Sequence, residues 1–121
     1  MSEYELRKTL TLEAAHLLPN VPAGHKCGRL HGHSFRVTLV VRGTLDDKTG
    51  WVMDYTDIKK AAQPLIDQLD HHYLNEIKGL ENPTSEVLSK WIFEKLNNQL
   101  KGLYQVIVAE TCTTESRYPT R

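Results

Sequence analysis

The chain has 121 residues, with 15 basic and 15 acidic side chains and a formal net charge of zero. At 40% hydrophobic and 25% charged residues it reads as one soluble globular domain over residues 1–121, without the basic face that a nucleic-acid binder needs. No apolar run approaches membrane-spanning length, so neither a membrane nor a nucleic acid is expected as a partner.

From Tyr4 to His16 the even positions read Tyr4, Leu6, Lys8, Leu10, Leu12, Ala14 and His16, and the odd positions are charged or polar up to Glu13. This alternation predicts a strand over about 3–15, with its apolar face on the even residues, Lys8 excepted. Residues 17–30, with Pro19, Pro22, Gly24 and Gly28, form a loop. A second strand, about 32–45, carries Phe35, Val37, Leu39 and Val41 on its odd face. The Asp46–Gly50 turn leads to a short strand at 51–54. A helix over about 56–69 follows, with Pro64 inside it predicting a kink or a late restart. Residues 70–81 read as a loop. Asn82 with Pro83 predicts the N-cap and first position of a second helix running to about 98. A last strand spans about 103–113. The order β-β-β-α-α-β implies an α+β class, an antiparallel sheet with two helices on one face. So small a sheet leaves strand edges open, which predicts an oligomer.

His31 and His33 share the inward parity of the second strand, and side chains two apart leave the same face. His16 continues the inward parity of the first strand. If the two strands pair antiparallel through the loop, three imidazoles converge. Two of them would be satisfied core residues if they stood apart, but inward imidazoles need partners for their nitrogens. Three histidines with an open fourth position are the pattern of catalytic zinc. Cys27, between Lys26 and Arg29 and close to His25, has surroundings that favour a thiolate. It reads as a fourth zinc ligand, as a base or nucleophile beside an open zinc, or as an inert loop thiol.

Asp70-His71-His72 follows the first helix. A carboxylate that fixes one imidazole nitrogen frees the other for proton transfer, although such pairs also serve as plain helix caps. Glu110 lies on the apolar parity of the last strand. A buried carboxylate there either pairs with a core cation or accepts two N–H groups from a flat heterocycle such as the 2-amino-4-oxo edge of a pterin. The N–H groups near Thr84 and Ser85 could hold another polar part of such a ligand, or simply be capped. Met1-Ser2-Glu3-Tyr4-Glu5 lacks the character of a secretion signal, so Cys27 and Cys112 are expected as reduced thiols in a cytoplasmic protein.

Glu13-Ala14-Ala15-His16, Cys27-x3-His31-Gly32-His33, Gly50-Trp51-Val52-Met53-Asp54, the run Leu69 to Asn75, the run Glu81 to Glu86 and Glu110-Thr111 stand in the order of one known family. Together they resemble the pterin synthases of the tunnelling fold over nearly the whole chain, the tail from Glu115 to Arg121 excepted. The three-residue spacer after the cysteine is similar to the branch that forms 6-carboxytetrahydropterin on the route to queuosine; the 6-pyruvoyl branch typically carries a longer one. The resemblance implies 7,8-dihydroneopterin triphosphate as substrate, and 6-carboxytetrahydropterin, acetaldehyde and triphosphate as products. It implies zinc on His16, His31 and His33, proton transfer by Cys27, Asp70 and His71, and a pterin anchor at Glu110. It also implies assembly into a barrel, commonly a hexamer, with sites at subunit interfaces. A 6-pyruvoyl-forming enzyme and a non-catalytic module with zinc closed by Cys27 are the competing expectations.

Overall fold

A computed structural model describes residues 2–121; Met1, the first residue of the stretch read for a secretion signal, lies outside them. Strands β1 (Glu3–His16) and β2 (His31–Thr44) form a long antiparallel pair. The alternation works as expected. Leu10, Leu12 and Ala14 of β1, and Phe35, Val37 and Leu39 of β2, are buried on one face. Beside β2 runs β4 (Leu103–Ala109), antiparallel, and outside it the three-residue β5 (Ser116–Tyr118). On the far side of β1 lies β3 (His72–Tyr73), which pairs parallel with Ala14 and Ala15. The sheet order is β3-β1-β2-β4-β5.

Helices α1 (Tyr55–Leu69) and α2 (Ser85–Leu96) pack against the buried face. Ile58, Ala62, Leu65 and Leu69 of α1, and Leu88, Ile92 and Leu96 of α2, meet Leu12, Phe35, Val37, Leu39, Val106 and Val108 in one cluster. Apolar stripes on two helices thus cover one side of a pleated sheet, the two-layer solution of an α+β fold. Asp54 caps α1 by accepting from Thr56 N–H at 2.8 Å, and the helix runs through Pro64 without a restart.

Several expected boundaries are corrected. Residues 51–54 are not a strand. Trp51 O accepts from Asp46 N–H at 2.9 Å, which closes the turn, and the chain must then bend for Asp54 to cap α1. The cap of α2 is Thr84, not Asn82: its hydroxyl accepts from Val87 N–H at 3.1 Å. β4 ends at Ala109, so residues 110–113 leave the sheet. The sheet is not wholly antiparallel, because β3 joins β1 in parallel. β3 and β5 have two and three residues, too few for a period to show.

One glycine sets the β2–β4 register. Gly102 has φ +84°, its carbonyl accepts from Arg42 N–H at 2.9 Å, and a Cβ there would stand 2.6 Å from Arg42 O. Gly102→Ala is expected to cost about 2–4 kcal/mol, from a left-handed backbone and a clash with main chain that cannot swing away. The shift of the urea-unfolding midpoint measures it; an unchanged midpoint would mean that the register does not depend on this turn.

Candidate metal centre

The β1–β2 register places His16 directly opposite His31 and Ala14 opposite His33. The imidazole centroids are 4.6 Å apart for His16–His31, 5.1 Å for His16–His33 and 4.8 Å for His31–His33. One nitrogen from each ring lies within 4.8 Å of the others. Phe35 packs edge-on against His16 and His33, both at 5.5 Å, and floors the cluster.

Two main-chain carbonyls orient the rings. His16 Nδ1 donates to Pro83 O at 2.8 Å, and His31 Nδ1 donates to Arg29 O at 2.6 Å. A donating Nδ1 leaves Nε2 as a lone-pair donor, which is how metal-ligating histidines are fixed. His16 is 1% exposed, and its Nε2 has no hydrogen-bond partner. A buried imidazole nitrogen without a partner, facing two more imidazoles, fits a cation with nitrogen ligands. Burial holds the His16 pKa below its ordinary value, although the Pro83 carbonyl pulls the other way. Cys27 is half-buried in the loop and stands outside the three-histidine group, as does Glu110. Cys27 and Cys112 are both free thiols.

Glu110 lies just past β4 yet keeps the inward side: its Oε2 is 3.8 Å from His33 Nε2, and its side chain is 26% exposed. It has no Lys or Arg partner among the described residues, so the salt bridge to a core cation is absent. Thr84 spends its hydroxyl on the cap, and Ser85 Oγ donates to Glu86 at 3.1 Å. Their segment nonetheless adjoins the cluster through Pro83 O.

Asp70 and His71 form a dyad at the end of α1. His71 Nδ1 donates to Asp70 Oδ2 at 3.0 Å. Asp70 Oδ1 accepts from Glu13 N–H at 2.8 Å, and His71 N–H donates to Glu13 O at 2.6 Å. The Glu13 amide, and after it His71, hold the Asp70 carboxyl below the usual carboxylate range. These bonds clamp His71 in a left-handed conformation, φ 59°, that non-glycine residues seldom adopt. The dyad is therefore more than a helix cap. It borders an open cavity of about 490 Å3 over the outward-facing residues Glu13, Ala15, Gly32 and Ser34, with His33 also at its border. No hydrogen bond joins the dyad to Cys27 or to His16 and His31, and the His71 side chain is 77% exposed.

Sequence reasoning missed the orienting carbonyls of Pro83 and Arg29, since a main-chain acceptor leaves no mark in residue type. It also missed Asn75, whose side chain accepts from Leu17 N–H at 3.1 Å and donates to Leu17 O at 2.8 Å. That pair pins the chain just after His16. Asn75 falls in the stretch 70–81 read only as a loop, where its residue type gave no hint of this contact.

The family description "6-pyruvoyl tetrahydropterin synthase" matches residues 5–120. The 6-carboxy-5,6,7,8-tetrahydropterin synthase of Synechocystis is 47% identical over 117 residues, 92% of this chain and 89% of the relative. The dihydroneopterin monophosphate aldolase of Pyrococcus furiosus is 41% identical over 73 residues, 60% of each chain. The solved structure of 6-pyruvoyl tetrahydropterin synthase from Caenorhabditis elegans superposes with a TM-score of 0.89 at 26% identity, covering 98% of this chain and 96% of that one. Fold and site together define an α+β protein of the tunnelling fold with a cluster of three histidines able to hold a metal ion. The chain belongs to the 6-pyruvoyl tetrahydropterin synthase family. No helix among the described residues is long and apolar enough to cross a membrane.

A metal held by this cluster would need a neutral His16, and burial favours the same form. Its pKa is lowered on folding, so this stability is fully present above the ordinary imidazole value of about 6.5 and is lost as pH falls toward the lowered folded value. Bound metal, followed by elemental analysis after gel filtration at stepped pH, should therefore survive past the ordinary imidazole value of about 6.5 and be lost only as pH falls through the lowered folded value. His16→Ala should weaken metal binding by about a hundredfold or more. Full metal content in His16→Ala would remove His16 from the ligand set.

Proposed function

We propose that this protein is a zinc-dependent lyase that converts 7,8-dihydroneopterin triphosphate and water to 6-carboxy-5,6,7,8-tetrahydropterin, acetaldehyde and triphosphate, on the cytoplasmic route to a 7-deazaguanine. The observation that carries this reading is a three-histidine cluster whose buried member, His16, has an unpartnered nitrogen, with a carboxylate free of Lys or Arg, Glu110, 3.8 Å from the His33 ring. The name of the Synechocystis relative supports the 6-carboxy-5,6,7,8-tetrahydropterin product.

His16, His31 and His33 would hold the zinc. Bound there, zinc supplies Lewis acidity that lowers the pKa of the hydroxyls on the substrate side chain. Glu110 accepts two N–H groups from the 2-amino edge of the pterin, which fixes the ring and orients the side chain toward the histidines. Thr84 N–H already donates to Asn82 O at 2.9 Å, so of the expected Thr84 and Ser85 pair it is the Ser85 main-chain N–H that takes a further polar edge of the ring. The Cys27 thiolate removes a proton from a side-chain carbon. His71 Nε2, left free because Nδ1 is held by Asp70, carries protons to and from the side-chain oxygens. The hydrogens and electrons are redistributed within the substrate, so no redox cofactor takes part.

In one chain the dyad is exposed and unconnected to Cys27, which supports a second copy bringing its dyad to the site. β1 offers the means: β3 covers only Ala14 and Ala15, so among the described residues most of this edge has no strand partner. We take the assembly to be a barrel of such sheets, a hexamer. A closed structural zinc site fits poorly, because Cys27 stands outside the histidine group.

Incubated with dihydroneopterin triphosphate, the zinc-loaded protein should release acetaldehyde in step with a pterin of 6-carboxy mass. Cys27→Ala should keep its zinc and lose about a thousandfold in kcat. A 6-pyruvoyl product would place the protein in the sister activity, and a hydroxymethylpterin would mark a simple aldol cleavage. Full turnover by zinc-loaded Cys27→Ala would strip the thiol of its role.

A further inference from the structure

Residues 14–45 contain no Asp or Glu, although the whole chain carries 15 acidic side chains. The centre of this stretch is the β1–β2 loop, where Lys26 and Arg29 flank Cys27. Among the described residues neither makes an ion pair. Two free cations in a region swept clear of carboxylates create a local positive field that the zero net charge conceals.

The loop is also built. Its neck is closed by Leu18 N–H donating to Cys27 O at 2.8 Å. Inside, His25 N–H donates to Pro22 O at 3.0 Å, Gly28 N–H to His25 O at 3.0 Å and Arg29 N–H to Lys26 O at 3.2 Å. Gly24, at φ +82°, makes the reversal before His25. Arg29 O accepts from His31 Nδ1, which ties the Arg29 main chain to the histidine cluster. His25 Nδ1 accepts from Cys27 N–H at 3.1 Å. A neutral imidazole that accepts at Nδ1 must carry its proton on Nε2, so His25 presents a donor to solvent. His25 and Arg29 border a cavity of about 270 Å3. A loop ordered this way before binding loses little freedom when it takes a ligand.

The groups also stand in sequence. Glu110 lies beside His33; His33, His31 and His16 form the cluster; the Arg29 main chain is bonded to His31 and, within the same loop, to Lys26, and Gly28 is bonded to His25. A pterin triphosphate has the same order: a ring edge with N–H donors, a hydroxylated side chain, then the phosphates. If Glu110 takes the ring and the histidines face the side chain, the phosphates fall on the loop.

We propose that Lys26, Arg29 and the Nε2–H of His25 form the subsite for the substrate's triphosphate; this rests on the pterin reading above. Charge-assisted bonds from a guanidinium, an ammonium and an imidazole N–H suit a multiply charged phosphate chain. The loop thereby anchors the end of the substrate that departs, on the segment that carries Cys27.

Neopterin and neopterin triphosphate, the oxidised and unreactive analogues, separate the phosphate contribution from the ring contribution when both are titrated into the zinc-loaded protein by pterin fluorescence. The unaltered protein should bind the triphosphate about a hundredfold tighter. Arg29→Gln and Lys26→Gln should each cut that ratio about tenfold, and the double variant should nearly abolish it. Arg117→Gln, on β5, should leave the ratio alone. A double variant with the original ratio overturns the subsite, and so does equal weakening of both ligands, which would mark a damaged pocket. Neopterin binding with no preference for the triphosphate overturns the subsite and leaves the pterin reading standing. Failure of the unaltered protein to bind either pterin overturns both.

Discussion

The site depends on the register between β1 and β2. Because side chains alternate with a period of two, a slip of one residue would send His16 to the opposite face from His31 and His33. The core prevents the slip, since the same shift would expose Leu10, Leu12 and Ala14 together. Stability and chemistry thus share one constraint: the apolar contacts that bury the sheet also aim the imidazoles. Once aimed, the rings have a deficit. The carbonyls of Pro83 and Arg29 satisfy one nitrogen on each of two rings, but His16 Nε2 is buried with nothing to bond, at a cost of about 1–3 kcal/mol. A protein that needed only a core would place Leu at position 16. The unmet nitrogen makes sense as a ligand atom.

The dyad shows a second case of local cost held in place by surrounding bonds. His71 has an unfavourable backbone conformation, and two hydrogen bonds to the main chain of Glu13, one of them through Asp70, hold it there. Glu13 lies three residues before His16 on the same strand. One stretch of β1 therefore fixes a histidine on its inner side and clamps the Asp70–His71 pair at its edge. In a single chain these two sets are not joined, and among the described residues the edge of β1 is mostly unpartnered.

What was legible in the sequence follows from period and burial. Alternation over fourteen residues in each of β1 and β2 gave the strands, their buried faces and the meeting of His16, His31 and His33. Glu110 was found by the same parity even though the strand ends one residue earlier. The helices were found by their stripes. What escaped has no period. β3 and β5 are too short, and the run from Trp51 to Asp54 looked like a strand because Val and Met followed a turn signal. The cap of α2 was misplaced by two residues because Asn82-Pro83 and Thr84 are both good starts; Thr84 wins, and Pro83 is left to offer its carbonyl to His16. Both orienting carbonyls belong to residues whose side chains say nothing of the role.

Net charge was the least informative quantity. Fifteen acids balance fifteen bases over the whole chain, yet no acid falls between residues 14 and 45. This segregation matches the division of labour in the fold. The helices and the turn after β2 carry carboxylates at helix starts and turns, where Asp54 and Asp46 cap main-chain N–H groups. The strand ends and the loop around the histidines carry only cations and imidazoles. Of the acids near the cluster, Glu13 points to the outer face, where Ser34 Oγ donates to it, and Glu110 is the one whose carboxylate lies beside a ring of the cluster, 3.8 Å from His33 Nε2. The polarity of the site comes from where acids are missing as much as from where bases stand.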